Sequence, residues 1–433
     1  MQSAHAGEFA YGIGYVGEYS DNIRRVPVNP ESEKISSTLV GIAYRENAPA
    51  FDAFLQAQAQ YNHYLNDTYS DGPIYYADSS LFWRILPQQL TWFFIDRYDQ
   101  VVGDPLKPNT PDNRIGANVF YTGPDLLMRL GQGNTLVLGL RYGNTAYSDV
   151  LPGGTDLRHN RYGTVARWQY AADAETTYSL NYEIEELKYD DEIRYGNLSR
   201  QDIFVQFNKR LAYARFLLDL GATRLDRDLA GASTPELTGH LARLTWTQQL
   251  ASGTLAGVRL ASEYLNAGTA LLSTATSPAP PNGPPPATPV AGELTSDYFY
   301  SKRAEVYYNR GDGNLDLNTR INFSDIDYEI ALLDRKESGG RLGVTYNPSG
   351  LLSTTLYGSH LNVQYLSPPA PRDDRNNGIG LNFSYRINMK LSASLDGRKS
   401  WRYSTIAARE YTDRRLLFSL IYASSPLFAP TRR

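Results

Sequence analysis

The stretch Leu315-Asp316-Leu317-Asn318-Thr319-Arg320-Ile321-Asn322-Phe323 decides the fold. Leu315, Leu317, Ile321 and Phe323 share one parity, while Asp316, Asn318, Arg320 and Asn322 share the other. Successive side chains leave opposite faces of an extended strand, so period two separates an apolar face from a polar one. A helix, with period 3.6, would mix them. The pattern recurs. Leu136, Leu138, Leu140 and Tyr142 alternate with Val137, Gly139 and Arg141; Tyr178, Leu180, Tyr182 and Ile184 alternate with Ser179, Asn181 and Glu183. Ile379, Leu381, Phe383 and Tyr385 alternate with Gly380, Asn382 and Ser384.

Outward from these strands, the connections alternate in length. Short turns lie near Asn47-Ala48-Pro49, Leu86-Pro87-Gln88, Gly131-Gln132-Gly133-Asn134, Ala172-Asp173-Ala174 and Lys209-Arg210-Leu211. Four more lie near Ala251-Ser252-Gly253, Gly311-Asp312-Gly313-Asn314, Asn347-Pro348-Ser349-Gly350 and Asn388-Met389-Lys390. Most carry the Gly, Pro, Asn or Asp that tight hairpins require. Longer polar stretches separate them, at 20–34, 66–78, 98–113, 148–160, 189–200, 226–235, 266–297, 325–339, 366–376 and 402–413. Nine turns and ten loops make nineteen connections, hence twenty strands, or eighteen if the register before about residue 110 differs. An even count leaves both chain ends on the short-turn side, which in bacterial barrels is the periplasm. The predicted fold is all-β: one antiparallel up-and-down transmembrane barrel over 7–425, with a periplasmic tail at 426–433. The longest extracellular loop, 266–297, holds Ser277-Pro278-Ala279-Pro280-Pro281-Asn282-Gly283-Pro284-Pro285-Pro286, which cannot enter a ladder and reads as an extended surface loop.

Composition agrees with this architecture. The 433 residues include no cysteine, which removes disulfides, thiolate metal sites and a cysteine nucleophile. A net charge of −4 lacks the basic footprint of a nucleic-acid binder. No apolar run is long enough for a transmembrane helix. Tyrosine is abundant, with 33 copies, and it gathers at the ends of the apolar faces. Tyr170, Phe207, Trp246, Tyr308, Tyr346, Tyr385 and Tyr422 precede the short turns or the chain end, and Tyr142, Tyr182, Tyr264 and Phe323 lie toward the other rim. Amphipathic rings favour the headgroup level, so these are expected to form two membrane girdles against outer-membrane lipid. The last strand, Leu416-Leu417-Phe418-Ser419-Leu420-Ile421-Tyr422, resembles the aromatic-hydrophobic signal read by the outer-membrane assembly machinery, although eleven residues follow it. Ser3-Ala4-His5-Ala6-Gly7 fits the end of a signal peptide, so 1–6 reads as its remnant.

The polar parity should face the lumen. It carries Arg141, Arg167, Arg243, Arg259, Arg303, Arg320, Arg341 and Arg386, with Glu183, Glu185, Asp219, Glu263, Glu305 and Asp316 among them. Guanidinium groups bind carboxylate or phosphate through a planar fork, so a series of them could pass anions between weak sites. Alternatively they pair with the lumen carboxylates and stiffen the wall. Catalysis has little support: His159 sits on an outer loop without a serine or acidic dyad, and His240 and His360 fall within strands. No spacing suits a resident metal or other cofactor; the acidic pieces Asp190-Asp191-Glu192 and Asp325-Ile326-Asp327 read as solvated loops.

Three segments carry a family resemblance. Tyr19-Ser20-Asp21-Asn22-Ile23-Arg24-Arg25-Val26-Pro27 opens the first loop. Tyr121-Thr122-Gly123-Pro124 leads to Arg129-Leu130 and then to Leu136–Tyr142, and Trp83, Pro87 and Trp92 mark a hairpin. In these the chain resembles the outer-membrane barrels found beside exopolysaccharide operons, including those of exosortase systems that sort proteins with a PEP C-terminal anchor. The resemblance spans most of 8–425 and implies a Gram-negative outer membrane, secreted polysaccharide and periplasmic export proteins as partners, and no catalytic residues. The expected function is a conduit or accessory pore for exopolysaccharide. The alternatives are a general diffusion porin and a structural barrel with a filled lumen. A plugged transporter for iron chelates would need about 22 strands and a plugged lumen.

Overall fold

The structure, a computed structural model, describes residues 7–104, 106–148, 157–229, 232–233, 236–266, 298–329, 332–367 and 371–428. Residues 1–6, where a signal remnant is expected, the proline-rich piece of the longest loop, and 429–433 of the expected tail lie outside these residues. The first strands are β1 (Glu8–Ser20), β2 (Glu33–Asn47), β3 (Phe51–Tyr64), β4 (Gly72–Leu86), β5 (Leu90–Val102), β6 (Arg114–Gly131) and β7 (Asn134–Tyr147). Next come β8 (His159–Ala171), β9 (Thr176–Tyr189), β10 (Asn197–Arg210), β11 (Ala214–Leu229), a two-residue β12 (Ala232–Ser233), β13 (Leu237–Ala251) and β14 (Thr254–Leu265). The last are β15 (Phe299–Asp312), β16 (Leu315–Tyr328), β17 (Arg335–Tyr346), β18 (Leu352–Tyr365), β19 (Arg372–Arg386), β20 (Leu391–Ser404) and β21 (Tyr411–Ala423).

Each long strand pairs antiparallel with the next, β11 passing directly to β13 while β12 pairs antiparallel with the end of β11. β1 then returns to β21, with Gly12 opposite Ala423 and Ser20 opposite Arg415. Twenty long strands thus close into a barrel. Closure leaves no unpaired edge, the condition for crossing lipid with strands.

The nine short connections fall at the predicted turns. At Gln132-Gly133 both turn residues have positive φ, +47° and +79°, as a two-residue hairpin loop needs. A Cβ on Gly133 would also come within 2.6 Å of the Ala171 carbonyl. Most of the long connections are shorter than their polar sequence suggests. β17 starts at Arg335 inside the expected 325–339 loop, β4 at Gly72 inside 66–78, and β21 at Tyr411 inside 402–413. Side chains such as Arg372, Asp373, Asp374 and Arg375 are too polar for lipid, but their backbones still continue the ladder.

The two parities separate cleanly on most strands. On β16 Ile321 is 63 % exposed and Phe323 48 %, whereas Ser324 and Ile326 are buried. The apolar parity therefore forms the outer band. Its short-turn rim is a chain of rings: Tyr170 opposite Tyr178, Tyr178 at 5.3 Å from Phe207, Phe207 at 5.8 Å from Phe216, and Phe216 opposite Trp246. Tyr11 stacks on Tyr422 across the closing seam at 6.1 Å. Tyr308, Tyr346 and Tyr385 share that parity, and toward the other rim Tyr142 meets Tyr162 at 5.6 Å while Tyr182 is exposed. With this closed, aromatic-rimmed apolar band, the molecule is a transmembrane barrel of the outer-membrane type, surrounded by lipid. Polar groups interrupt the outward parity in places, for example where Asn118 Nδ2 donates to Asp96 Oδ1 at 3.1 Å.

Tyr264 departs from its predicted place. It is not on the outer girdle but is buried in an inner apolar cluster, with its ring 4.9 Å from that of Tyr300. Tyr264 still pairs with Tyr300 on β15, but the β13–β14 ladder ends at Ala242 and Ser262, which opens the β13 side of the strand beside it.

Candidate functional site

The opposite parity converges on the lumen. The Asn266 amide reaches Glu185 at 3.3 Å, and the Tyr298 hydroxyl meets the same carboxylate at 3.3 Å, although these residues flank β14 and β15 and Glu185 belongs to β9. Such contacts bypass several intervening strands and are made through the interior of the cylinder.

The predicted lumen residues stand on this inner face, and most of the arginines meet carboxylates. Arg141 lies 2.6 Å from Asp125 and over the Phe93 ring at 4.9 Å. Arg167 Nε donates to Asn181 Oδ1 at 2.6 Å. Arg243 reaches Glu263 at 2.6 Å and Asp219 at 3.6 Å, and Arg303 reaches Glu263 at 2.7 Å. Glu305 receives Arg259 at 2.8 Å and Arg320 at 3.5 Å, and Arg341 is directly opposite Arg320. Glu183 lies opposite Asp202. Near the short turns, Asp316 accepts from Asn347 Nδ2 at 3.0 Å, and Arg386 ends β19 in an exposed position.

The inner wall holds further residues that the sequence did not single out. Arg200 and Asp202 form a 2.7 Å pair that is almost fully buried, and Thr223 donates to Asp202 at 2.6 Å. Arg161 reaches Glu185 at 3.5 Å and Asn266 at 3.2 Å. Across the seam, Asp413 is fully buried and accepts from Ser20 and Arg415, each at 2.7 Å, and Arg415 also reaches Glu18 at 2.6 Å. Extending the lumen parity of each strand into its polar end would have found Arg200, Asp202 and Asp413.

No known protein family's sequence pattern matches this chain, and no characterised protein matches it in sequence. Solved structures with a similar course do exist. The FrpB iron transporter from Neisseria meningitidis (F5-1 variant) is 9 % identical, with 95 % of this chain and 81 % of that chain covered and a TM-score of 0.49. OccK2 (OpdF) from Pseudomonas aeruginosa is 11 % identical over 96 % of this chain and 98 % of that one, with a TM-score of 0.41. The copper transporter OprC is 8 % identical over 97 % and 82 %, with a TM-score of 0.46.

The lumen is not polar along its whole height, contrary to the sequence reading. Val101, Val119, Leu157, Leu187, Tyr189, Tyr195, Leu198, Leu225 and Tyr298 form a buried apolar cluster toward the long-loop end. Loop residues fold inward there and need apolar partners. Asn266 and Tyr298, the roots of the longest loop, are both buried inside the mouth, so this connection does not begin or end at the outer surface. Burial, and secondarily the charge of Glu185, pushes the Tyr298 hydroxyl above its usual range, so it stays protonated and donates. His159 is likewise no loop residue. It opens β8, is buried, and packs on Tyr189 at 5.0 Å. His240 and His360 lie within β13 and β18 on the outward parity.

The chain end gives another correction. Residues 426–428 do not trail into the periplasm. Ser424 and Tyr11 exchange backbone and side-chain hydrogen bonds at 2.8 Å, and the chain turns back so that Phe428 packs against Ala10, Leu39 and Ala43. Its ring fills the space over two lumen glycines: a Cβ on Gly12 would lie 2.1 Å from it and one on Gly41 2.5 Å. A large aromatic after the closing strand, together with Ala10, Gly12 and Gly14 on the inner parity of β1, was the available signal.

Proposed function

We propose that this barrel is an outer-membrane conduit for secreted polysaccharide in a Gram-negative bacterium, working without catalysis. One observation carries the reading: between its apolar patches, the inner wall neutralises most of its arginines internally and presents amides and hydroxyls. Gln56, Gln58, Gln60 and Asn62 run along the inner face of β3, and of these Gln56 and Gln60 stay partly exposed, with amides suited to sugar hydroxyls. A wall of many weak polar contacts lets a long chain move without being trapped. The sequence resemblance to barrels beside exopolysaccharide operons supports the same substrate, with periplasmic export proteins as partners. Deleting the gene should abolish secreted polymer, and the purified protein should conduct ions in planar bilayers. Normal polymer secretion in the deletion strain overturns the reading. The inward Phe428 segment and the buried loop roots favour a second reading, a structural barrel with a filled lumen, for which insertion without conductance is the expected result.

A further inference from the structure

The inner wall arranges its arginines in two ways. At Arg141, Arg161 and Arg200 each guanidinium meets a carboxylate that no other arginine named here reaches. Near mid-strand on β14–β17 the ratio changes. Arg259 and Arg320 both reach Glu305, at 2.8 and 3.5 Å, and Arg341 stands directly opposite Arg320 on the same face. Two guanidinium groups thus share one carboxylate, and a third stands directly across from one of them. Like charges directly opposite in a sheet repel, so this arrangement gains by taking up an anion. The place is also built. The Arg259 guanidinium lies over the Tyr307 ring at 5.0 Å, and Tyr307 is opposite Arg320 in register. Tyr307 is buried, lies on Gly257, where an added Cβ would be 2.4 Å from the ring, and is held at 2.9 Å by the Thr247 hydroxyl. Lumen water reaches the arginines: Arg259 and Arg320 are 44 % and 38 % exposed, against 7 % for Arg200.

We propose that Arg259, Arg320 and Arg341 form a subsite for the anionic group, carboxylate or phosphate, of an acidic saccharide. The inference rests on the conduit reading and adds its substrate class. Guanidinium forks bind such groups in two-pronged fashion, and water access keeps each contact weak enough to release.

The test uses oligogalacturonate, a phosphorylated maltodextrin and neutral maltodextrin of equal length. Isothermal titration to the detergent-solubilised barrel reads binding whether or not the pore conducts. Oligogalacturonate, the phosphorylated oligomer or both should bind in a salt-sensitive way, and whichever binds identifies the group. Affinity should fall about tenfold or more in the Arg320→Gln/Arg341→Gln double variant. The variant should keep its strand circular dichroism, and Lys390→Gln, in the exposed β19–β20 turn, should bind as the native protein does. Unchanged affinity in the double variant, equal binding of the neutral oligomer, or no binding of either anion overturns the subsite. These outcomes leave the conduit itself to bilayer conductance and the deletion strain.

Discussion

The inner faces of β1–β3 and of β10–β15 start from the same strand geometry and end differently. On β1 and β2 the lumen parity is small and apolar, with Ala10, Gly12 and Gly14 facing Leu39, Gly41 and Ala43. The chain's own Phe428 covers that floor. On β10–β15 the same parity is charged, and Arg200, Asp202, Asp219, Arg243, Glu263 and Arg303 bind one another. One wall is completed by a segment folding back and the other by its own side chains. Lipid requires the outer face to be apolar but leaves the inner face free to be built either way.

The comparison can be broken at each wall. Asp202→Ala should have the largest effect, because it leaves Arg200 buried without its carboxylate. Losing one member of such a pair costs about 3–5 kcal/mol, measurable by urea unfolding of the detergent-folded protein. A loss under about 1 kcal/mol would mean that water reaches Arg200 and that the charged wall is not sealed. Phe428→Ala should cost about 3 kcal/mol by removing a buried ring from its cradle. Its control sharpens the point. Gly12→Ala should destabilise the native chain by crowding Phe428, yet cost little in the Phe428→Ala background, and additive losses would show that the ring does not occupy that cradle. The smallest effect belongs to the turn joining β8 and β9. Asp173 accepts the backbone N–H of Glu175 and that of Thr176, each at 2.7 Å, and these bonds, the Glu175 one first, hold its carboxyl below the usual range. Its contribution is therefore complete above the ordinary carboxylate pKa and fades as pH falls through the lowered one. Acid titration of Asp173→Asn should show a shallower stability loss in that range than the native chain.

The girdle residues, the turns and most of the lumen arginines were legible because pairing in a ladder makes parity a local property. Tyr264 was not, because β13 no longer pairs with its strand beyond Ser262, although β15 still does. The ends of β17 and β21 were hidden for a related reason. Backbone hydrogen bonds continue past the lipid, where side chains no longer need to alternate.

Period-two patterning and turn chemistry alone determine the barrel, its strand count to within one hairpin and its outward face, because each depends on residues a few positions apart and on one solvent boundary. Only the closed structure decides what lies inside. Where Tyr298 crosses to Glu185 and where Phe428 comes to rest depend on bringing together residues more than a hundred positions apart. Those distances exist only once β1 has met β21.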